Sequence, residues 1–217
     1  MGVGKTIQAL GIQYLYKNDW PLLILCPSSL KYSWKNEILK WIPSIKEKEI
    51  QLFKTGKDKF DDRSIIFIQS YDLASRLYEE IEKKNFNAVI ADEAHYLKSR
   101  DAKRSKVLAP ILTHAKRCVL ISGTPMLNRP VEMFNLLNIL RPDAFPKFKD
   151  FSDRYCDPKQ GNFGIDYSGN SCTNELHYIL SKNLMIRRLK EDVLSELPKK
   201  RRSKIEIQVD EKMQKDI

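Results

Sequence analysis

The sequence predicts an α/β fold, a parallel helix-covered sheet followed by a C-terminal helical extension. Three observations carry that expectation. Short apolar runs of strand length (22–26, 64–69, 89–91 and 117–121) alternate with stretches whose apolar residues recur at helical spacing. The Val89-Ile90-Ala91 run is continuously apolar, as in strands buried on both faces. It stops abruptly at Asp92 and Glu93, and the 117–121 run stops at Ser122-Gly123-Thr124-Pro125. In a parallel sheet such strand ends share the carboxyl edge, where open α/β folds bind ligands.

The first helix is expected after Gly4-Lys5-Thr6, on the spacing of Ile7, Leu10 and Tyr14, and should stop near Asn18-Asp19-Trp20-Pro21. Leu22 to Cys26 follows as a buried strand. Pro27-Ser28-Ser29 should cap a second helix with the stripe Leu30, Trp34, Ile38 and Trp41, ended by Pro43. The segment 46–63 is charged and carries one apolar piece, Ile50 to Phe53. After the strand at 64–69, Ser70-Tyr71-Asp72 reads as a helix start, with Leu73, Leu77 and Ile81 facing inward. A basic helix is expected from Lys103 to Leu112. Beyond Arg141-Pro142 the pattern changes: Phe145, Phe148, Phe151 and Tyr155 suggest short helices. Residues 156–173 read as a loop without periodicity and 175–184 as a helix.

The formal charge of +10 favours a polyanionic partner such as nucleic acid, although lysine excess also serves solubility. Four scattered cysteines with no Cys-x-x-Cys pair read as free thiols of a reducing, intracellular compartment. The longest apolar run, Leu22 to Cys26, is far too short to span a membrane, so no membrane partner is expected.

The chemistry is concentrated in two places. Gly4-Lys5-Thr6 ends like a phosphate-binding loop, whose glycines let backbone N–H groups cradle phosphates. In that loop Lys5 would reach the β- and γ-phosphates and the Thr6 hydroxyl would ligate magnesium, with Gly2 and Gly4 shaping the turn. Asp92 would hold the same magnesium, through water, and Glu93 would act as general base on the attacking water. An acidic surface turn and a chance Gly-Lys-Thr would each look the same alone; together they are what magnesium–nucleotide hydrolysis needs. His95 is either a structural histidine or a link from nucleotide state to the rest of the domain. Ser122-Gly123-Thr124 suits an ordinary strand-to-helix turn as well as a site at this edge. The first glycine slot of the loop and the strand that should aim it fall ahead of Met1, so a lead strand is expected upstream.

Taken together, these motifs resemble the helicase-like motors of superfamily two. Gly4-Lys5-Thr6 is similar to motif I, Asp92-Glu93-Ala94-His95 to motif II (a DEAH box) and Ser122-Gly123-Thr124 to motif III. More narrowly, Met1-Gly2-Val3-Gly4-Lys5-Thr6-Ile7-Gln8 resembles the Swi/Snf-type DNA translocases. So do Pro27-Ser28-Ser29-Leu30 with Trp34, and Ile186-Arg187-Arg188-Leu189-Lys190 with Leu197-Pro198. Trp20-Pro21-Leu22-Leu23, His95-Tyr96, Lys98-Ser99-Arg100, Arg154-Tyr155-Cys156 and Asn174-Glu175-Leu176-His177 are similar to the annealing-helicase branch, the HARP-type and RAN-binding zinc-finger-type fork remodellers.

The resemblance implies the first of two RecA-like lobes of an ATP- and Mg2+-dependent motor on DNA, specifically forked or branched duplex, acting in fork remodelling and repair in the nucleus. It implies coupling roles for His95, Ser122 and Thr124, DNA-backbone contacts at Ser28, Ser29, Ser70 and Tyr71, and a brace for the second lobe at Arg187 and Arg188. A helix cap or a basic tail would account for the same serines and arginines. Lys199-Lys200-Arg201-Arg202 reads as a nuclear address, a phosphate contact or a solvated tail. The expected organisation is a RecA-like ATP-binding lobe over 1–142, a helical extension and basic brace over 143–203, and a last strand with the start of a second lobe over 204–217. A nucleosome-remodelling lobe, or a nucleotide-dependent binding module without turnover, would carry much the same motifs. The missing second lobe should leave the isolated chain a poor ATPase.

Overall fold

The computed structural model describes residues 3–123, 129–161 and 164–188. The chain divides into two compact units, Met1–Arg187 and Arg188–Ile217, and every described strand and helix belongs to the first. The basic cluster at 199–202, Leu197-Pro198 and the strand expected near 204–209 lie outside the described residues.

Five parallel strands form the sheet: β1 (Leu22–Cys26), β2 (Ile50–Leu52), β3 (Ile66–Ser70), β4 (Ala88–Ala91) and β5 (Arg117–Leu120), in the order β2-β3-β1-β4-β5. The three inner strands, β1, β3 and β4, are buried at every residue. That is why they are apolar without alternation, since each face is covered by helices. On one face Leu22, Ile24, Cys26, Ile66, Ile68 and Ile90 meet α1 (Lys5–Leu15) and α2 (Lys31–Trp41). On the other, Leu23, Leu25, Phe67, Val89 and Ala91 meet α3 (Tyr71–Arg76), α4 (Tyr78–Lys84) and α5 (Lys103–His114). Burial of this kind is worth about 1.5–3 kcal/mol per large aliphatic side chain. β5 is half-buried at all four residues and pairs only with β4, so its outer side is an open edge among the described residues.

The helical stripes are placed less simply than their spacing suggests. α1 buries Ala9, Leu10 and Gln13, while Ile7 and Tyr14, read from the sequence as its inner face, are 37% and 43% exposed. Gln13 is drawn inward because its amide Nε2 donates to the carbonyls of Val89 and Arg117, at 3.1 and 3.0 Å. In α2 Trp34 and Ile38 are buried, but Trp41 is 46% exposed. An Ile24→Ala substitution is therefore expected to cost about 2–5 kcal/mol in urea unfolding, from lost transfer energy plus a cavity. Trp41→Ala should cost well under half of that, and equal losses would contradict the assignment of faces.

Three further differences from the sequence reading have local causes. The single helix expected after Ser70 is two, broken at Leu77; Ser75 Oγ bonds back to the Tyr71 carbonyl at 2.8 Å, a contact that bends helices. Ser28 and Ser29 do not cap α2 with their side chains; they form an exposed 3₁₀ turn, Ser28–Leu30, ahead of it. The loop at 156–173 contains a small antiparallel hairpin, β6 (Lys159–Gly161) with β7 (Gly164–Asp166). The helices α6 (Phe134–Leu140), α7 (Phe148–Tyr155) and α8 (Thr173–Asn183) build a third apolar cluster around Phe134, Leu137, Phe151, Tyr155, Leu176 and Leu180. α6 belongs to both bodies, since its Leu136 and Ile139 pack into the sheet cluster.

All four cysteines are free thiols, of which only Cys172 is exposed. Burial pushes the Cys26 thiol up to about 12, reinforced by the Asp92 charge and opposed by Lys31, and burial alone does the same to Cys118. At pH 8 a thiol of that pKa is ionised to only about one part in ten thousand, and the thiolate is the nucleophile. A thiol reagent added to the native protein at pH 8 should modify Cys172 first. Labelling of Cys26 at a comparable rate would mean that the β1 end is open.

Candidate nucleotide site at the sheet edge

The strand registers bring the polar strand ends together. Cys26 lies opposite Ser70, Leu25 opposite Ala91, and Ala91 opposite Leu120. Ser28, Ser70, Asp92 and Ser122 therefore follow the ends of four adjacent parallel strands along one edge. Asp92 extends the ladder by one bond, its N–H donating to the Leu25 carbonyl at 2.7 Å. The chain then turns sharply. Glu93 sits in the left-handed region (φ 51°), sparsely populated for a non-glycine residue, and opens a 3₁₀ turn, Ala94–Leu97. The turn is pinned on its far side by the Ala94 N–H on the Ile121 carbonyl, 2.7 Å.

Asp92 is 8% exposed. Its Oδ2 accepts from the Trp34 indole N–H at 2.9 Å, and its Oδ1 from the Glu93 N–H at 2.9 Å. Burial raises its pKa above the ordinary carboxylate value; those two hydrogen bonds and the charge of Lys5 oppose the rise, while Glu93 adds to it. The contribution from Lys5 shows that the first residue of α1 and the end of β4 lie within electrostatic reach across the edge. Gly4 precedes α1 at φ 71°, and a Cβ there would come to 3.3 Å from Ile7 Cγ2. The glycine is thus needed for backbone reasons. Thr6 is half-buried in the first turn of α1.

The end of β5 closes the other side. A Cβ on Gly123 would lie 3.9 Å from Glu93 Oε1, so this strand end abuts the Glu93 carboxylate. His95 Nδ1 is 3.1 Å from Glu93 Oε2 but is not aligned for a hydrogen bond, and this buried atom has no other partner among the described residues. A buried, unsatisfied ring nitrogen beside a half-buried carboxylate is a common mark of a site built for a polar ligand. Together with a helix N-terminus, a lysine and a buried aspartate, the donor set fits a magnesium–triphosphate.

Other expected site residues fall as follows. Ser28 and Ser29 are exposed at the same edge. Ser70 is 7% exposed and caps α3, accepting from the Leu73 N–H at 3.4 Å. Tyr71 is 2% exposed, and its hydroxyl donates to the Asp92 carbonyl at 2.7 Å. The Tyr71 side chain is accordingly part of the wall beneath Asp92 rather than a surface for a phosphate backbone, and burial holds its phenol well above the ordinary value. Ser122 is half-buried; Arg187 and Arg188 are exposed beyond α8. Gly2 and Thr124 lie outside the described residues. Trp34, Lys31 and Gln13 were not anticipated as polar anchors. Only an unexpected polar residue on a buried helical face hints at Lys31 and Gln13, and nothing in the sequence marks the Trp34 indole as a donor.

The family described as the SNF2-related domain matches residues 1–216. This chain belongs to that family. SNF2-related relatives include the SWI/SNF-related matrix-associated actin-dependent regulator of chromatin subfamily A-like protein 1 of Xenopus tropicalis, 44% identical over 205 residues. The human DNA annealing helicase and endonuclease ZRANB3 is 45% identical over 214 residues. These alignments cover 94% of this chain but 22% and 20% of the two relatives, so the chain spans about a fifth of their length. Among solved structures, the Sulfolobus solfataricus SWI2/SNF2 ATPase core in complex with dsDNA superposes with a TM-score of 0.68 at 22% identity. The superposition covers 91% of this chain and 41% of that one, and it shows that this chain shares the fold of part of such a core.

Proposed function

We propose that this chain is the ATP-binding motor lobe of a DNA-dependent ATPase of the annealing-helicase kind, working on forked or branched DNA in the nucleus. The reading rests on the charge of Lys5, at the start of α1, being felt by Asp92, at the end of β4, with Glu93 next in the chain in a left-handed turn bordered by Gly123. The names of relatives more than 40% identical, an annealing helicase among them, support the choice of activity.

In this reading Lys5 and the free N–H groups of the first turn of α1 hold the β- and γ-phosphates. Thr6 and, through water, Asp92 would hold magnesium, which would draw charge from the phosphates when bound. Glu93 takes the proton of the attacking water, positioned by the strained turn and bordered by Gly123. His95 and Ser122 relay the state of Glu93 to neighbouring elements. Ser28 and Ser29, both exposed, meet the DNA backbone, where contacts give position but no sequence preference. Arg187 and Arg188 brace the second lobe.

The test is ATP turnover by the protein in which this lobe is joined to its second lobe, measured without DNA and with forked DNA, linear duplex or nucleosomes. Forked DNA is expected to stimulate most. Stimulation by nucleosomes alone would favour a chromatin remodeller, and nucleotide binding without turnover would favour a binding module.

A further inference from the structure

Two side chains outside the nucleotide-binding motifs converge on Asp92. Trp34 reaches its carboxylate from α2, through Nε1 to Oδ2 at 2.9 Å. Tyr71 reaches its main-chain carbonyl from α3, through the hydroxyl at 2.7 Å. Both are buried, at 2% exposure, so neither bond competes with water. Each belongs to a helix that starts at the sheet edge.

The α2 link is stiff. Lys31, the first residue of α2, is buried and donates to the Phe53 carbonyl, at the end of β2, at 2.7 Å. Lys31 and Trp34 stand three residues apart on one helical face, so the helix start and the Asp92 contact move as one piece. The exposed Ser28–Leu30 turn is joined directly to that start.

The α3 link grips the Glu93 turn at both ends. Besides its bond to Asp92, the Tyr71 ring stacks on Tyr96, with centroids 5.4 Å apart and planes 3° from parallel. Arg104 of α5 covers Tyr96 at 5.3 Å and lies 3.9 Å from Asp72 of α3. Glu93, in its left-handed conformation, is held between the two points that Tyr71 touches.

We propose that Trp34 and Tyr71 are positioning residues that tie the Asp92–Glu93 turn to α2 and α3, and through α2 to the exposed Ser28–Leu30 corner that faces DNA in the proposed function, so that duplex binding sets the geometry of the magnesium ligand. The inference rests on the function proposed above. Residues of this kind, bonded to a metal ligand rather than to the metal, typically change metal affinity about 10–100-fold when removed.

The experiment follows binding of a fluorescent ATP analogue by the 217-residue chain as magnesium is titrated, with and without a short forked duplex. Trp34→Phe deletes the N–H donor, and Tyr71→Phe deletes a single oxygen and keeps the stack on Tyr96. In the unsubstituted chain the duplex should lower the half-saturating magnesium concentration. In each variant that concentration should rise by about tenfold and the duplex-dependent shift should be lost, while binding of the metal-free nucleotide is retained. Variants that keep the shift would overturn the inference. So would an unsubstituted chain that binds magnesium–nucleotide with no response to duplex, which leaves the nucleotide lobe standing. Absence of magnesium–nucleotide binding would overturn the proposed function itself, and the inference with it. Loss of metal-free nucleotide binding in both variants would mark a general structural role and also overturn it.

Discussion

Replacing Glu93 by glutamine is expected to lower ATP turnover in the two-lobed protein by about 10²–10⁴-fold, the range of a lost general base. Binding should survive, because glutamine keeps the side-chain shape and one acceptor oxygen near Gly123 and His95 while losing the carboxylate's charge and basicity. Lys5→Ala should differ, weakening nucleotide binding as well as turnover, since Lys5 is the residue proposed to hold the β- and γ-phosphates. The two variants thus separate in a binding measurement even where both look inactive. A Glu93→Gln protein that keeps more than about a tenth of its turnover would place the base elsewhere. Asp92 could not easily substitute: both of its oxygens already accept hydrogen bonds, from Trp34 and from the Glu93 N–H.

The second large effect concerns the part of the site this lobe does not supply. Among the described residues the candidate edge presents Lys5, the first turn of α1 and the carboxylates of Asp92 and Glu93. Phosphoryl transfer also spreads charge onto oxygens facing away from that edge, and an arginine supplied from a second body can be worth about 10³–10⁵ in turnover. The 217-residue chain alone is therefore expected to turn ATP over slowly, and joining it to a second lobe should restore DNA-stimulated turnover by about that factor. Rapid hydrolysis by the single lobe, measured by phosphate release with Lys5→Ala as control, would show that the edge is sufficient.

The strands, and the polar residues at their ends, were legible because their causes are local. A strand covered on both faces must be apolar throughout, and Leu22 to Cys26 or Val89 to Ala91 can be recognised without knowing their neighbours. The edge-strand residues Ile50 to Leu52 were less legible, being three residues long in a charged stretch. Helix positions were legible and helix faces were not. Ile7 and Tyr14 have the spacing of an inner stripe, yet the hydrogen bonds of Gln13 to β4 and β5 rotate α1 so that a polar residue is buried and a tyrosine exposed. The hairpin at 159–166 was hidden because its strands are exposed and carry no apolar alternation.

By itself the sequence determined the fold class, the family and the chemistry on offer: a glycine loop with Lys5 and Thr6, and a buried strand ending in Asp92 and Glu93. Those follow from residue type and short-range order, which fix what a strand end or a helix start can present. The tertiary structure alone decided what holds that chemistry in place. From the sequence Trp34 reads as part of the inner stripe of a helix and Tyr71 as a helix start and a DNA contact, and only the packing of α2 and α3 against the sheet aims their single polar atoms at Asp92. The reason is that a hydrogen bond between residues 58 or 21 positions apart is set by how helices pack across a sheet, and nothing in the local sequence encodes that angle.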